Sequence, residues 1–69
     1  MKVSIFVTFD PPIDSQSLYD ELETYKLNVT DLIEKVLVYG DLEEYLLGEV
    51  IQILLKYGSN NITITNPSV

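Results

Sequence analysis

The chain has 69 residues, with eleven Asp and Glu, four Lys, and no Arg, Cys or His. That length leaves room for one domain spanning residues 1–69, and the absence of Cys and His excludes disulfides, thiolate sites and the commonest zinc ligand. A net charge of −7 disfavours nucleic acid and anionic membranes as partners, because both repel a field of this sign.

An apolar fraction of 46% and a mean hydropathy of +0.16 belong to a folded domain rather than an acidic disordered tail. A core this small seldom supplies more than about 3–5 kcal/mol, so a partner or a second copy is the expected aid to stability. The first nine residues lack the basic and continuous apolar regions of a secretory signal. The apolar stretch Leu42 to Tyr57 is too short, and too interrupted by Glu43, Glu44, Glu49 and Gln52, to span a bilayer. The chain is therefore expected to be cytoplasmic, and the glycosylation-like triplets at Asn28 and Asn61 carry little weight.

In chain order, Lys2 to Phe9 alternates, with Val3, Ile5, Val7 and Phe9 on one side and Lys2, Ser4, Phe6 and Thr8 on the other. This is the period of a half-buried strand. Asp10-Pro11-Pro12 ends it, since proline cannot donate to a ladder. Asp14 or Ser15 can cap a helix over Ser15 to Tyr25, with Leu18, Leu22 and Tyr25 forming its apolar stripe.

Leu27 to Tyr39 reads two ways. Thr30 or Asp31 can cap a helix carrying Leu32, Ile33, Val36 and Leu37, or Leu27 to Leu32 can turn near Glu34 into a strand from Val36 to Tyr39. Local propensity does not decide between them.

After Gly40, Asp41 with Glu44 resembles a capping box, and Lys56 with Gly58 marks the end of a second helix from Leu42 to Tyr57. Asn61 to Asn66 alternates again, with Ile62 and Ile64 inward, until Pro67. Two lone strands cannot cover two amphipathic helices, whereas four can, so the hairpin reading is preferred. It gives an α+β, ferredoxin-like βαββαβ two-layer sandwich. The alternative is a β-α-α-α-β chain with a two-stranded sheet.

No catalytic constellation emerges. Without Cys or His the usual activated nucleophiles are missing, and a Ser4–Lys35 pair would stand on an open sheet face with no cleft around it. Glu43 and Glu44 suit a first helical turn, and Glu49 has Lys56 seven residues later on nearly the same face. Asp10, Asp14, Asp20 and Glu21 lack the spacing of a calcium loop, and Gly40, Gly48 and Gly58 are too scattered to cradle a phosphate. Gly40 and Gly58 punctuate helix ends, while Gly48, costing about 1 kcal/mol inside a helix relative to Ala, hints at close packing. No cofactor or metal is expected.

Binding is the remaining reading. On the sheet face away from the helices Phe6, Leu37 and Tyr39 are candidate interface residues, with Ser4, Thr8, Lys35, Thr63 and Thr65 around them. RNA-recognition domains stack bases on such aromatics, but this chain lacks their basic residues and their glycine and aromatic pattern.

The second helix carries more apolar residues than one stripe needs. Leu42, Leu46, Val50, Ile53 and Tyr57 form one set, and Leu47, Ile51, Leu54 and Leu55 widen it, which makes Leu47, Ile51 and Leu54 further interface candidates. The expected function is a non-enzymatic protein–protein interaction domain, acting as a homodimer or a small accessory subunit of a larger assembly. The alternatives are an acidic nucleic-acid mimic that inhibits a basic protein, and a small-ligand-sensing module at a dimer interface.

Overall fold

In the computed structural model, which describes residues 1–65, the element order is that of the hairpin reading. A first strand β1 (Lys2–Phe9) leads to helix α1 (Ser15–Leu22), and a hairpin of β2 (Asn28–Asp31) and β3 (Val36–Asp41) follows. Helix α2 (Leu47–Lys56) and the last strand β4 (Ser59–Thr65) complete the fold. The strands form one sheet in the order β2-β3-β1-β4, with every neighbouring pair antiparallel. The protein is thus an α+β domain whose element order fits the ferredoxin-like arrangement approximately. The three-helix alternative, and the helical reading of 27–39, give way to the strand pairing of Val36–Asp41 with β1. The expected end of the last strand, Asn66 and Pro67, lies outside the described residues.

The alternation in β1 sets the two layers. Val3, Ile5, Val7 and Phe9 are buried on the inner face with Val36 and Val38, and Leu18 and Leu22 of α1 and Val50 and Leu54 of α2 close the core over them. Twelve hydrophobic residues make up this core, and no polar or charged residue among those described is buried. A core without polar groups needs no internal partners, so its stability rests on apolar area and packing.

Local chemistry explains the α1 boundaries. Asp14 is extended, and its carboxylate accepts from the Gln16 backbone N–H at 3.0 Å, satisfying one of the orphan donors of the first turn. The helix tightens at Glu23–Tyr25 into a 3-10 turn and stops at Lys26, which adopts a left-handed φ of 60°. Lys rarely serves as such a stop, which is why the sequence suggests an unbroken helix to Tyr25.

The second helix differs more. Asp41 is not its cap but the last residue of β3, opposite Lys2, and its carboxylate accepts from the Met1 ammonium at 3.1 Å. Leu42 N–H donates to the Met1 carbonyl at 2.8 Å. Pairing with β1 thus takes the groups that a capping box would have used, and α2 starts only at Leu47 after a 3-10 turn at Glu44–Leu46.

Gly40 therefore lies inside β3 rather than at a helix start. Its φ is +152°, and a Cβ there would stand 3.0 Å from Leu27 Cδ2 and 3.3 Å from the Lys26 carbonyl oxygen. The missing side chain lets the segment entering β2 lie directly against β3. Gly48 shows the opposite: a Cβ would meet nothing within 4 Å, so the close packing expected there is absent.

Candidate interaction surface

The outer sheet face is built by the strand registers. Thr30, Leu37, Phe6 and Thr63 line up across all four strands, and Asn28, Tyr39, Ser4 and Thr65 form the next row. The helices bury the opposite face, so Phe6 and Leu37 stay half-buried as direct cross-strand neighbours and Tyr39 is 39% exposed. The Lys35 ammonium lies 5.5 Å from the centre of the Phe6 ring, a cation–π distance.

Ser4 faces Tyr39 and Thr65 rather than Lys35, so the Ser–Lys pair considered from sequence does not assemble. Lys2 and Lys35 give these rows their charge. Asp41, the acid opposite Lys2, sits at the corner against Met1, and Glu34 lies in the hairpin turn outside these rows. In a chain of net charge −7, this face is depleted of carboxylates.

The candidates on α2 divide. Leu54 is 0% exposed and belongs to the core, which removes it from any interface. Leu47 is half-buried against the core. Ile51 is half-buried without belonging to that packed set, and Leu55, which sequence reasoning did not put forward as a site, is 50% exposed. Ile64 points to the inner face opposite Ile5 and is nevertheless 40% exposed, on a strand at one edge of the sheet. Ile33 at the tip of the β2–β3 hairpin is fully exposed. Alternation could not flag it, because the turn residues stand outside both strands.

The carboxylates serve the helical layer. Glu21 forms an ion pair with Lys56 and accepts from the Tyr57 hydroxyl at 2.7 Å, and Glu49 accepts from the Tyr25 hydroxyl at 3.3 Å. Lys56 therefore pairs with α1, not with Glu49 on its own helix. Hydrogen bonding from Lys56, then from Tyr57, holds the Glu21 carboxyl below the ordinary range, and the same contact with Glu21 raises Lys56 and Tyr57. Tyr25 is raised chiefly by partial desolvation and then by the charge of Glu49. These shifts belong to a clasp between the helices on the molecular surface.

Among the described residues, Asp10, Asp14, Asp20 and Glu21 do not converge with any third ligand as a metal site. The clefts are shallow. One lies at the proline end, lined by Phe9, Pro12, Ile13, Leu32, Ile33 and Val36, and another at the corner of the outer face, by Lys2, Ser4, Tyr39 and Asp41. No helix of the described residues is long and apolar enough to cross a membrane. No protein-family model matches the chain, and no curated protein and no solved structure matches it either.

Proposed function

We propose that this chain is a non-enzymatic protein-interaction domain, working as a homodimer or as a small accessory subunit, and that its outer sheet face is the surface a protein partner covers. One observation carries the reading. An acidic chain leaves Tyr39 exposed, and Phe6 and Leu37 half-buried, in adjoining positions on a nearly acid-free face. Aromatic and aliphatic residues with a polar rim of Thr and Asn are what the centre of an interface requires.

The rim lysines draw the partner's potential towards neutral or mildly acidic at this face, while the helical side repels acidic proteins. Four strands spaced about 4.8 Å apart and rising about 3.3 Å per residue give a footprint of no more than about 500 Å². A stable interface takes about 800 Å² per partner, so one copy of this face alone binds weakly.

The test is co-purification of the tagged chain from its native host at low and moderate salt, beside Phe6→Lys and Leu37→Lys. The expected result is a stoichiometric protein partner retained by the unaltered chain and lost from both variants, whose folds are checked by circular dichroism. Retention indifferent to both substitutions overturns the reading. Retention that depends instead on charge reversal of Asp20, Glu23, Glu43 and Glu44 and collapses with salt would point to an acidic mimic.

A further inference from the structure

The two edges of the sheet are built differently, and the difference identifies a second surface. β2 is four residues long, carries Asp31, and is tied down where Ser15 Oγ donates to Asp31 Oδ2 at 2.7 Å. Those are devices that discourage another strand from adding: short length, a charge, and cover from α1. β4, the other edge, has none of them. It is seven residues, Ser-Asn-Asn-Ile-Thr-Ile-Thr, without charge or proline. Among the described residues it pairs only with β1, in unbroken register from Asn61 to Thr65, and a register shift opposite Thr8 and Phe9 is confined to its Ser59 end.

We infer that β4 pairs antiparallel with β4 of a second copy of this chain, about a two-fold axis normal to the sheet, giving one continuous eight-stranded sheet.

Three observations select a second copy as the occupant. An isologous contact requires a surface that complements itself, and a bare strand edge satisfies this condition, since donors and acceptors alternate along it and match when the strand is inverted. Charge comes next. Each copy carries −7, yet residues 50–65 contain no carboxylate and Lys56 is their single charge, so this side brings two copies together with the least repulsion.

The third is the apolar surplus beside the edge. Ile64 on β4 is 40% exposed. On α2 the half-buried Ile51 and the 50% exposed Leu55 stand across the helix from Glu49, which meets Tyr25 in the 3-10 turn at the end of α1. They therefore face away from α1 and towards the β4 side of the sheet. A two-fold normal to the sheet brings the second copy's helices to that same side, where these residues have an apolar neighbour. The outer faces of both copies then also lie on one side, which doubles the footprint open to a partner to about 1,000 Å², above the ~800 Å² per partner of a stable interface. The proposal rests on the interaction-domain reading only for that last consequence.

The chain has no cysteine, so single-cysteine variants of the full chain report the pairing cleanly. Each position from Ser59 to Thr65 is replaced by Cys in turn, oxidised mildly, and weighed, with Asn28→Cys and Thr30→Cys on the other edge as controls. Pairing about a two-fold axis predicts disulfide-linked dimer at one β4 position, the one on the axis, falling steeply to either side because the bridge spans only about 4.4–6.8 Å between Cα atoms. Nothing forms on β2.

In sedimentation equilibrium the unaltered chain is expected to be a dimer. Ile64→Lys and the exposed, outer-face Thr63→Lys should each weaken it at least tenfold, whereas Phe6→Lys should leave it unchanged. A dimer that cross-links on β2 or nowhere on β4, or that Phe6→Lys disrupts, overturns the edge assignment while leaving the interaction-domain reading standing. A chain that stays monomeric at every concentration also overturns it. Loss of partner capture by Phe6→Lys with the dimer intact tests that other reading separately.

Discussion

The β2 edge and the β4 edge belong to the same sheet, pair with adjoining central strands and yet follow opposite rules. β2 ends in an acid held by Ser15 of α1, and Leu27 just before it packs on Gly40 of β3. β4 is nearly twice as long and uncharged, its own Ile64 is 40% exposed, and Leu55 of α2 is 50% exposed. An edge that is only a boundary is blunted, whereas an edge that is to be joined keeps its backbone groups free and its side chains neutral. The acids are distributed accordingly, from Asp10 to Glu49 and never on the last strand.

Substitutions on either side of the sheet separate the two edges. Leu54→Ala should lower the unfolding free energy by about 3 kcal/mol, because it opens a cavity in a core where Leu54 is fully enclosed. Leu55→Ala, one residue on, should stay within about 0.5 kcal/mol in the monomer and act on association instead. Urea melts at low and high protein concentration separate the two effects, and equal losses would show that α2 has no free side.

Gly40→Ala tests the β2 side. A side chain there meets Leu27 and the Lys26 carbonyl at a positive φ, and the expected loss is about 2 kcal/mol. Thermal unfolding reads it, and a neutral result would mean that the close approach of the two segments is dispensable.

The helix clasp gives a smaller, pH-dependent effect. Glu21 has its carboxyl lowered in the folded chain, mainly by Lys56 and then by Tyr57, so its contribution is complete above the unfolded pKa and is lost as pH falls through the folded one. Glu21→Gln should therefore be less stable than the unaltered chain at neutral pH and converge with it in acid below the ordinary glutamate range. On the alkaline side Lys56, Tyr57 and Tyr25 are raised. Their contribution holds through neutral pH and fades as pH rises past the ordinary tyrosine and lysine ranges. A stability difference between Glu21→Gln and the unaltered chain that ignores acid would contradict the clasp.

Gly48→Ala is the smallest and has the opposite sign. The site is open and helical with no positive φ, so a gain of about 0.5 kcal/mol is expected, visible as a raised denaturation midpoint. A loss would mean that something packs on Gly48 after all.

Much of this architecture is legible in the residues alone, and the exceptions share a cause. Strand alternation at Lys2–Phe9, the Asp-Pro-Pro stop and the Asp14 cap are local signals, and the structure has each of them in place. The span 27–39 carries equal local signals for helix and strand, and only the register of β3 with β1, whose paired residues run from Lys2 and Asp41 to Val7 and Val36, decides it. The capping box at Asp41 and Glu44 is a sound local motif that loses to the same pairing, which extends β3 to Asp41.

Of the surface candidates, Phe6, Leu37 and Tyr39 follow from alternation once the strand pairing is known, and all three stand on the outer face. Leu54 could not be told from Leu55 by spacing, because the orientation of α2 depends on its late start at Leu47. The open β4 edge was not legible at all, since strand order is a property of the assembled sheet.

The two edges should differ in solution as they differ in construction. Amide hydrogen exchange on the full chain, followed residue by residue at two protein concentrations about a hundredfold apart, tests it most directly. Amides of Ser59–Thr65 directed away from β1 should gain protection as concentration rises, while the outward amides of Asn28–Asp31 exchange at the same rate in both samples. Outward β4 amides that exchange freely and independently of concentration, as an unpaired edge does, would contradict it.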